Sequence, residues 1–397
     1  MTKRIWLILT TILLVIAVFS PIAFWHYSST ETTETPVFFG VSFGGKTASE
    51  AKLLIDKVKG YTNFFVVNSW DLSSNETALD EVCNYTAEAG LNFIVFFDYI
   101  ALTPGLPLTS WHGEWVITAK DKWPEKFLGI YIYDEPGGRQ IDTGLFDNFS
   151  LSERARMFEN VTSYEEAAEV FFTQLPRGID FQYLQNSNIS RYTSDYALYW
   201  FDYLAGYDTV FVELGWNHSR PQHIGLCRGA ARAQEKEWGA IITWTYGDQP
   251  YLADGPEILE DLIIAYETGA KYIIVLNYPT YPETDPDGVL SDKHFDAMER
   301  FWNRIHAFPE NMLGKVKGEV AFVLPKDYGW GMRWRDDSIW GLPDIFSAKT
   351  DSLSPVIWEK MTKLIERYGL RVDILYDDPR FSFDGYSKVY YWNSSID

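Results

Sequence analysis

The sequence of 397 residues contains few cysteines and far fewer basic than acidic side chains. Its two cysteines, Cys83 and Cys227, lie in helix-like segments far apart in the chain, and we interpret both as unpaired core thiols. The 34 lysines and arginines are outnumbered by 55 aspartates and glutamates, which gives a net charge of −21. Nucleic-acid binding depends on clustered basic residues, so this composition argues against nucleic acids, and against strongly anionic polymers, as partners.

Motifs for phosphate and zinc chemistry are also missing. The segment after the first predicted strand, GVSFGGKTASE, lacks the G-x-G-x-x-G spacing of a dinucleotide-binding loop. The chain has no His-Glu-x-x-His and no Cys-x-x-Cys, so a zinc hydrolase is poorly supported. His218 and His223 could bind a metal or a substrate, but the preferred interpretation is core or surface histidines. We therefore expect no cofactor and no metal.

The N-terminus indicates export. Lys3 and Arg4 precede an apolar run from Ile5 to Phe24, which is long enough to span a bilayer with the basic end inside. A cleaved signal peptide is the alternative, although no small-x-small cleavage site follows the run. Seven Asn-x-Ser/Thr triplets agree with an extracellular, glycosylated protein: Asn75, Asn84, Asn148, Asn160, Asn188, Asn217 and Asn393. We predict a single-pass membrane protein with its folded part outside, or a secreted one if the run is cleaved.

Short β-branched and aromatic runs then alternate with helical patterns. The predicted strands are Phe38–Phe43, Phe64–Trp70, Asn92–Asp98, Gly129–Asp134, Tyr192–Asp195, Thr209–Gly215, Ala240–Tyr246 and Lys271–Tyr278. Eight strand–helix units in a chain of this length predict an α/β fold of the (β/α)8, or TIM, barrel type. A doubly wound open sheet is the alternative, and the missing glycine-rich loop counts against it.

The predicted organisation has four parts. Residues 1–27 form a transmembrane anchor or signal segment, and residues 28–36 form a polar linker. Residues 37–316 form the barrel, with an insertion at 139–191 that we expect to line a cleft. Residues 317–397 show a β-loop-α-β-turn-β pattern, about half of a flavodoxin-like domain. The last strand ends almost at the terminus, which indicates a longer gene product or a vestigial domain.

Acids, amides and large aromatics cluster at the carboxyl ends of the predicted strands, where barrel enzymes place their sites. Sugar rings stack on Trp and Tyr, and sugar hydroxyls need Asp, Asn and Glu as partners. The composition, with 16 Trp and 25 Tyr, leaves room for such contacts beyond an aromatic core. The candidate substrate-binding residues are Trp70, Asp98, Tyr133, Asp134, Trp216, Asn217, Trp244, Tyr246, Asn277 and Tyr278.

Two carboxyl groups are needed to cleave a glycosidic bond, one protonated and one ionised. Glu135 is the candidate acid, because Tyr131, Tyr133 and Glu135 would share one strand face before Pro136 ends the strand. Glu213 lies between apolar residues, which suits a glutamate that faces a polar barrel mouth. Asp248 is a third candidate. The alternatives are a solvated turn for Glu135, a buried ion pair for Glu213 and a solvated loop acid for Asp248.

Asp134-Glu135-Pro136 resembles the strand-four acid/base motif of the clan-A (β/α)8 glycoside hydrolases. The succession of an aromatic-rich barrel and a flavodoxin-like unit resembles the β-galactosidase branch of those enzymes, whose C-terminal domain mediates oligomers. That family places a nucleophilic Glu at the end of strand seven, where this chain has IITWTYGDQP and no Glu. Glu213 or Asp248 would have to substitute, so the family's retaining mechanism does not transfer.

The resulting expectation is a glycoside hydrolase-like protein that acts on extracellular oligo- or polysaccharides. A catalytically inactive glycan-binding barrel at the cell surface is the alternative, and a structural envelope protein is a third. The missing strand-seven Glu favours binding, whereas the convergence of Glu135 and Glu213 favours catalysis. Expected partners are the glycan, the membrane through the N-terminal segment, and a second copy through the C-terminal unit.

Overall fold

The computed structural model describes residues 37–98, 111–144, 156–175, 179–280, 288–307, 313–346 and 351–396. The predicted membrane run Ile5–Phe24 and the linker lie outside these residues, and the predicted insertion is described only in part. Among the described residues, none of the helices combines the length and the apolarity that a bilayer crossing requires.

Eight parallel strands close into a barrel in chain order, which confirms the predicted α/β barrel. The first strand pairs with both the second and the eighth: Gly40 lies opposite Phe64, and Phe38 lies opposite Tyr272. The strands are β1 (Phe38–Phe43), β2 (Phe64–Val67), β3 (Asn92–Asp98), β4 (Phe127–Ile132), β5 (Arg191–Asp195), β6 (Thr209–Leu214), β7 (Glu237–Ile242) and β8 (Tyr272–Val275).

Helices connect the strands on the outside of the barrel. Several begin with a side-chain cap: Thr47, Ser163 and Asp254 each form a reciprocal capping box with a glutamate three residues later. The helices are α1 (Ala48–Val58), α2 (Trp70–Ser73), α3 (Glu76–Glu88), α4 (His112–Lys122), α5 (Pro136–Thr143), α6 (Tyr164–Gln174), α7 (Ile179–Asn186), α8 (Tyr199–Ala205), α9 (Arg220–Ala233), α10 (Gly255–Glu267) and α11 (Asp292–Ala307).

Aromatic side chains fill the interior of the barrel. The rings of Tyr131 and Tyr192 stack on Phe211 at centroid distances of 6.2 and 5.8 Å, and Tyr272 closes the layer edge-on against Tyr192. These residues belong to the buried core cluster together with Phe64. Because the interior is packed with side chains, a ligand has to bind at the mouth formed by the loops that follow the strands.

Four strands end two to four residues earlier than predicted, and strand six ends one residue earlier, at Leu214. The predictions extended strands two, four, seven and eight to Trp70, Asp134, Tyr246 and Tyr278, whereas these strands end at Val67, Ile132, Ile242 and Val275. The residues after these strand ends are also β-branched or aromatic, but their backbone groups form hydrogen bonds with loop residues. The N–H of Trp216, for example, donates to the carbonyl of Trp244 at 2.6 Å. Strand propensity therefore continues into the loops that build the mouth.

A second, smaller sheet follows the barrel, as predicted. It consists of three parallel strands in the order β10-β9-β11: β9 (Val320–Leu324), β10 (Val372–Tyr376) and β11 (Lys388–Tyr391), with α12 (Leu353–Tyr368) before β10. The sheet packs on α9 of the barrel. A Cβ atom at Gly225 would lie 2.6 Å from the carbonyl oxygen of Val372, and Arg228 forms a buried ion pair of 2.7 Å with Asp373.

Both cysteines are free and buried, as the sequence predicted. Cys83 lies in α3 and Cys227 lies in α9, on separate elements of the barrel. Burial raises the pKa of both thiols well above the usual range. They are therefore inert core residues.

Candidate active site

The chain turns sharply where β4 meets α5. Tyr133 and Glu135 have positive φ angles of 54° and 51°, in the left-handed region that is costly for residues with a side chain. The strand ends at Ile132, so the prediction that Tyr131, Tyr133 and Glu135 share one strand face is wrong. Tyr131 lies in the barrel core, whereas the Tyr133 ring stacks on Phe181 of α7, outside the barrel.

The backbone N–H groups at the start of α5 are satisfied by a residue from another strand. Glu135 occupies the N-cap position but makes no side-chain cap hydrogen bond. Instead, Asp195 at the end of β5 accepts hydrogen bonds from the N–H of Gly137 at 2.6 Å and of Gly138 at 2.8 Å. It also accepts from the N–H of Tyr196 at 2.7 Å. Because Asp195 supplies the cap, the Glu135 side chain is available for other contacts.

The two glycines after Pro136 allow β5 to approach this turn. A Cβ atom at Gly137 would lie 2.5 Å from the carbonyl oxygen of Ala197. One at Gly138 would lie 2.1 Å from the ring of Tyr196, closer than any real Cβ contact. The sequence Glu-Pro-Gly-Gly therefore combines a strained glutamate, a helix start and a close strand contact in four residues.

Glu135 reaches Glu213 on β6. A hydrogen bond between their carboxyl groups raises the pKa of Glu135 and lowers that of Glu213. Glu213 is 4% exposed, and its Oε1 also accepts a hydrogen bond of 2.6 Å from the Ser194 hydroxyl. The structure thus brings together the two glutamates that the sequence placed on different strands. Among the described residues, Glu213 forms no ion pair with a lysine or an arginine, so the alternative interpretation of a buried ion pair is not supported.

The environment separates the proton affinities of the two glutamates. Removal from water is the main cause for both, and it raises the pKa of Glu135 to about 11 and that of Glu213 to about 8. The negative charges of Glu213 and Asp134 raise the pKa of Glu135 further. As pH rises, Glu213 therefore ionises before Glu135, and Glu135 keeps its proton at neutral pH.

A hydrogen-bond network ties the pair to the neighbouring strands. The Tyr131 hydroxyl donates to Asp134 and lies 2.8 Å from the Ser194 hydroxyl oxygen. Ser194 in turn donates to Glu213. Burial raises the pKa of Asp134, and hydrogen bonding to Tyr131 opposes that rise. Asp134 therefore lies among the strand-end residues that the sequence singled out, and it is bound by the Tyr131 hydroxyl.

Asp195 and a neighbouring acid, Asp202, form a second pair of buried carboxyl groups. Asp202 of α8 is fully buried, and its pKa is raised well above the usual range by burial and by the charge of Asp195. Neither carboxyl oxygen of Asp202 has a hydrogen-bond partner among the described residues, so Asp202 is best accommodated as a neutral, protonated acid beside Asp195. Burial also raises the pKa of Asp195, to about 7, and the N–H groups at the start of α5 oppose the rise.

Aromatic side chains that follow four of the strands surround the mouth. Trp70 follows β2, Trp216 follows β6, Tyr246 follows β7 and Tyr278 follows β8. All four are exposed, by 59, 43, 47 and 46% respectively. Large apolar rings left in water at one end of a barrel are typical of a ligand surface rather than a core.

The remaining predicted residues lie in different environments. Trp244 is half-buried against the core cluster, Asn217 is exposed, and Asn277 is buried with an unpaired side-chain oxygen. Asp248 is exposed in the loop after β7, in contrast to the buried glutamates. Asp98 is the last residue of β3.

The two histidines near β6 belong to the protein interior. The rings of His218 and His223 stack at 4.8 Å, and Nδ1 of His223 lies 2.9 Å from the Tyr199 hydroxyl. Burial lowers the pKa of both. The described residues contain no group of three or more His, Cys, Asp or Glu side chains arranged to hold a metal ion.

A large cavity lies beside the mouth rather than at the glutamate pair. Its volume is about 970 Å³, and the loops after β7 and β8 line it, including Tyr246, Tyr251 and Thr280. Neither Glu135 nor Glu213 lines this cavity. Tyr246 therefore belongs both to this cavity and to the aromatic rim, which is the set of exposed rings of Trp70, Trp216, Tyr246 and Tyr278 at the mouth.

Sequence reasoning missed residues whose roles depend on other strands. Asp195, Ser194 and Asp202 were not candidates, because the first two act through hydrogen bonds to α5 and Glu213 and the third through its burial beside Asp195. Residues 40–44 match the G-x-S-x-G pattern of a nucleophile elbow, but Ser42 lies buried within β1, with its hydroxyl 3.3 Å from the carbonyl oxygen of Asn277. This serine is a structural residue.

No family model matches the chain, and no curated protein matches it significantly. Solved structures match at 8–12% identity. A Thermobaculum terrenum O-GlcNAc hydrolase mutant matches 85% of this chain and 68% of its own, at a TM-score of 0.39. A Clostridium cellulolyticum H10 D-psicose 3-epimerase with D-tagatose matches 68% and 98%, also at 0.39. The carboxyl transferase domain of Rhizobium etli pyruvate carboxylase matches 69% at 0.36, and this chain spans 47% of its length. Such scores carry no information about the reaction.

Proposed function

We propose that this protein is a glycoside hydrolase that acts on extracellular glycans, with Glu135 as the general acid. The observation that carries the proposal is the shared hydrogen bond of Glu135 and Glu213 at the carboxyl ends of β4 and β6. One carboxyl group of this pair holds a proton at neutral pH and the other is the more readily ionised, which is the division of roles that glycosidic cleavage needs.

In this proposal Glu213 is the nucleophile or the base that activates water. The two carboxyl groups of glycosidases lie about 5–5.5 Å apart in retaining enzymes and about 6.5–9.5 Å apart in inverting ones. In this protein the two carboxyl groups interact directly, so a sugar ring that binds between them has to separate them. The resemblance to clan-A enzymes supports Glu135 in the acid role, while the strand-seven position of their nucleophile has no counterpart here.

The aromatic rim supports a carbohydrate as the substrate. Trp70, Trp216, Tyr246 and Tyr278 offer exposed rings around the acidic centre, and sugar faces stack on such rings. The acidic surface implied by the net charge of −21 favours a neutral glycan over an anionic one. We propose Trp70, Trp216, Tyr246 and Tyr278 as the residues that hold the sugar chain.

A catalytically inactive glycan-binding protein is the second candidate. The observation that favours it is the end of β7, where Ile242, Thr243 and Trp244 provide no carboxyl group and Asp248 is exposed. A screen of the purified full-length chain against chromogenic glycosides and neutral polysaccharides distinguishes the two candidates. Turnover supports the hydrolase, and binding without turnover selects the inactive protein. The absence of both binding and turnover rejects both candidates.

We further propose that the apolar run Ile5–Phe24 anchors the protein with the barrel outside the cell, and that the C-terminal unit mediates any self-association. Carbonate extraction of membranes tests the anchor. An anchored protein stays in the membrane fraction, whereas release of a soluble form that begins near residue 24 shows that the run is a cleaved signal.

A further inference from the structure

A loop of the C-terminal unit reaches the mouth of the barrel. After β9 the chain runs through residues 325–346 before it approaches α12. Along this loop, the Gln222 side chain of α9 donates to the carbonyl of Met332, and the Gln140 side chain of α5 donates to the carbonyl of Trp340 at 2.6 Å. Since α5 follows β4 and α9 follows β6, the loop lies along the carboxyl ends of the strands that carry the glutamates.

The loop is fixed in place by a buried arginine. The side chain of Arg333 is 7% exposed and forms salt bridges of 2.6 Å with Asp142 of α5 and of 2.8 Å with Asp337 of its own loop. Asp142 also accepts a hydrogen bond of 2.7 Å from the Tyr196 hydroxyl. These contacts hold Arg333 against Tyr196, the residue that follows the helix-capping Asp195.

The guanidinium group of Arg333 lies over two aromatic rings. Its guanidinium carbon lies 5.5 Å from the centroid of the Tyr196 ring and 4.4 Å from that of the Trp334 ring. A Cβ atom at Gly138, three residues after Glu135, would lie 2.1 Å from the Tyr196 ring, so Tyr196 packs on the turn that carries Glu135. The Trp334 ring is 51% exposed.

We propose that Trp334 is a sugar-binding platform that the C-terminal unit contributes to the cleft, and that it binds a sugar unit of the glycan beyond the ring at the scissile bond. A half-exposed indole that is held rigid by a buried cation loses little conformational freedom when a sugar stacks on it. This inference rests on the proposed glycan ligand and extends it to residues more than a hundred positions from either glutamate in the sequence.

The test compares Trp334→Ala with the parent in calorimetric binding of β-1,4-linked glucose, xylose, mannose and N-acetylglucosamine oligomers of two to six units. The experiment uses the full chain with Glu135→Gln in every protein, so that no ligand is consumed. For an oligomer that the parent binds, we expect Trp334→Ala to raise Kd roughly tenfold at five or six units. Little change is expected at two units, and Trp334→Phe should restore most of the affinity.

The matched control is Tyr391→Ala, which removes an exposed ring from β11 of the same unit. It should bind like the parent. Equal affinities of Trp334→Ala and the parent at every length, with binding intact, overturn the platform and leave the proposed function standing. Loss of affinity at all lengths together with a lowered unfolding temperature also overturns it, because Trp334 would then be structural. If the parent binds no oligomer at all, the platform fails together with the proposed function.

Discussion

Asp195 provides the N-terminal cap of α5 in place of Glu135, the residue that occupies the cap position. The carboxyl group of Asp195 accepts from the N–H groups of Gly137 and Gly138, while Glu135 keeps a left-handed backbone and points its side chain at Glu213. A cap taken from the next strand thus releases a strained glutamate for chemistry. The strain is tolerated because several bonds from β5 hold the turn.

Replacement of Asp195 should therefore affect both stability and turnover. Asp195→Asn keeps the size of the side chain but loses one of the two acceptor oxygens and the negative charge at the helix start. We expect a loss of about 1–2 kcal/mol of unfolding free energy, as for other N-caps, together with a loss of turnover as the Glu135 turn relaxes. Urea unfolding and steady-state kinetics on the best substrate measure the two effects.

The control for this variant is Thr47→Ala, which removes the capping box of α1 away from the glutamates. It should cost similar stability and leave turnover at the parent level. Equal activity losses in the two variants would show that Asp195 acts only through global stability.

Gly138 offers a test of the close contact between β5 and the turn. In Gly138→Ala the new Cβ atom would lie 2.1 Å from the Tyr196 ring, so either the ring or α5 has to shift. We expect the unfolding midpoint and turnover both to fall. Gly247→Ala is the matched control, because its Cβ would meet nothing within 4 Å. An active, fully stable Gly138→Ala protein would contradict the described packing.

The barrel could be predicted from the alternation of strand and helix patterns, because strands and helices have different hydrophobic periods in the sequence. The exact strand ends did not follow, since Trp244 and Tyr246 favour strands in isolation and lie in loops here. The chemistry of the mouth was predictable only in part. Glu135 and Glu213 could be placed by the ends of their strands, whereas the roles of Asp195 and Arg333 depend on contacts across the barrel that no local pattern encodes.

The glutamate pair also predicts how stability depends on pH. Folding raises the pKa of Glu213 from 4.5 to about 8, so its contribution is fully present below pH 4.5 and is lost as pH rises through 8. Glu213→Gln removes the titrating group. Relative to the parent, its thermal unfolding midpoint should rise progressively between pH 5 and pH 8. Parallel midpoint curves for the two proteins across this range would contradict the buried, protonated pair.

The most direct test of the account is the turnover of Glu135→Gln on an unactivated glycoside identified by the screen. The variant keeps shape and hydrogen bonding and removes the proton donor, so turnover should fall by roughly 10²–10⁴-fold with little change in oligosaccharide binding. Substrates with very acidic leaving groups should be partly spared, and Asp134→Asn should cost less. Glu213→Gln should slow even the activated substrates. Cleavage of the unactivated glycoside by Glu135→Gln at the parent rate would contradict the assignment of Glu135 as the acid.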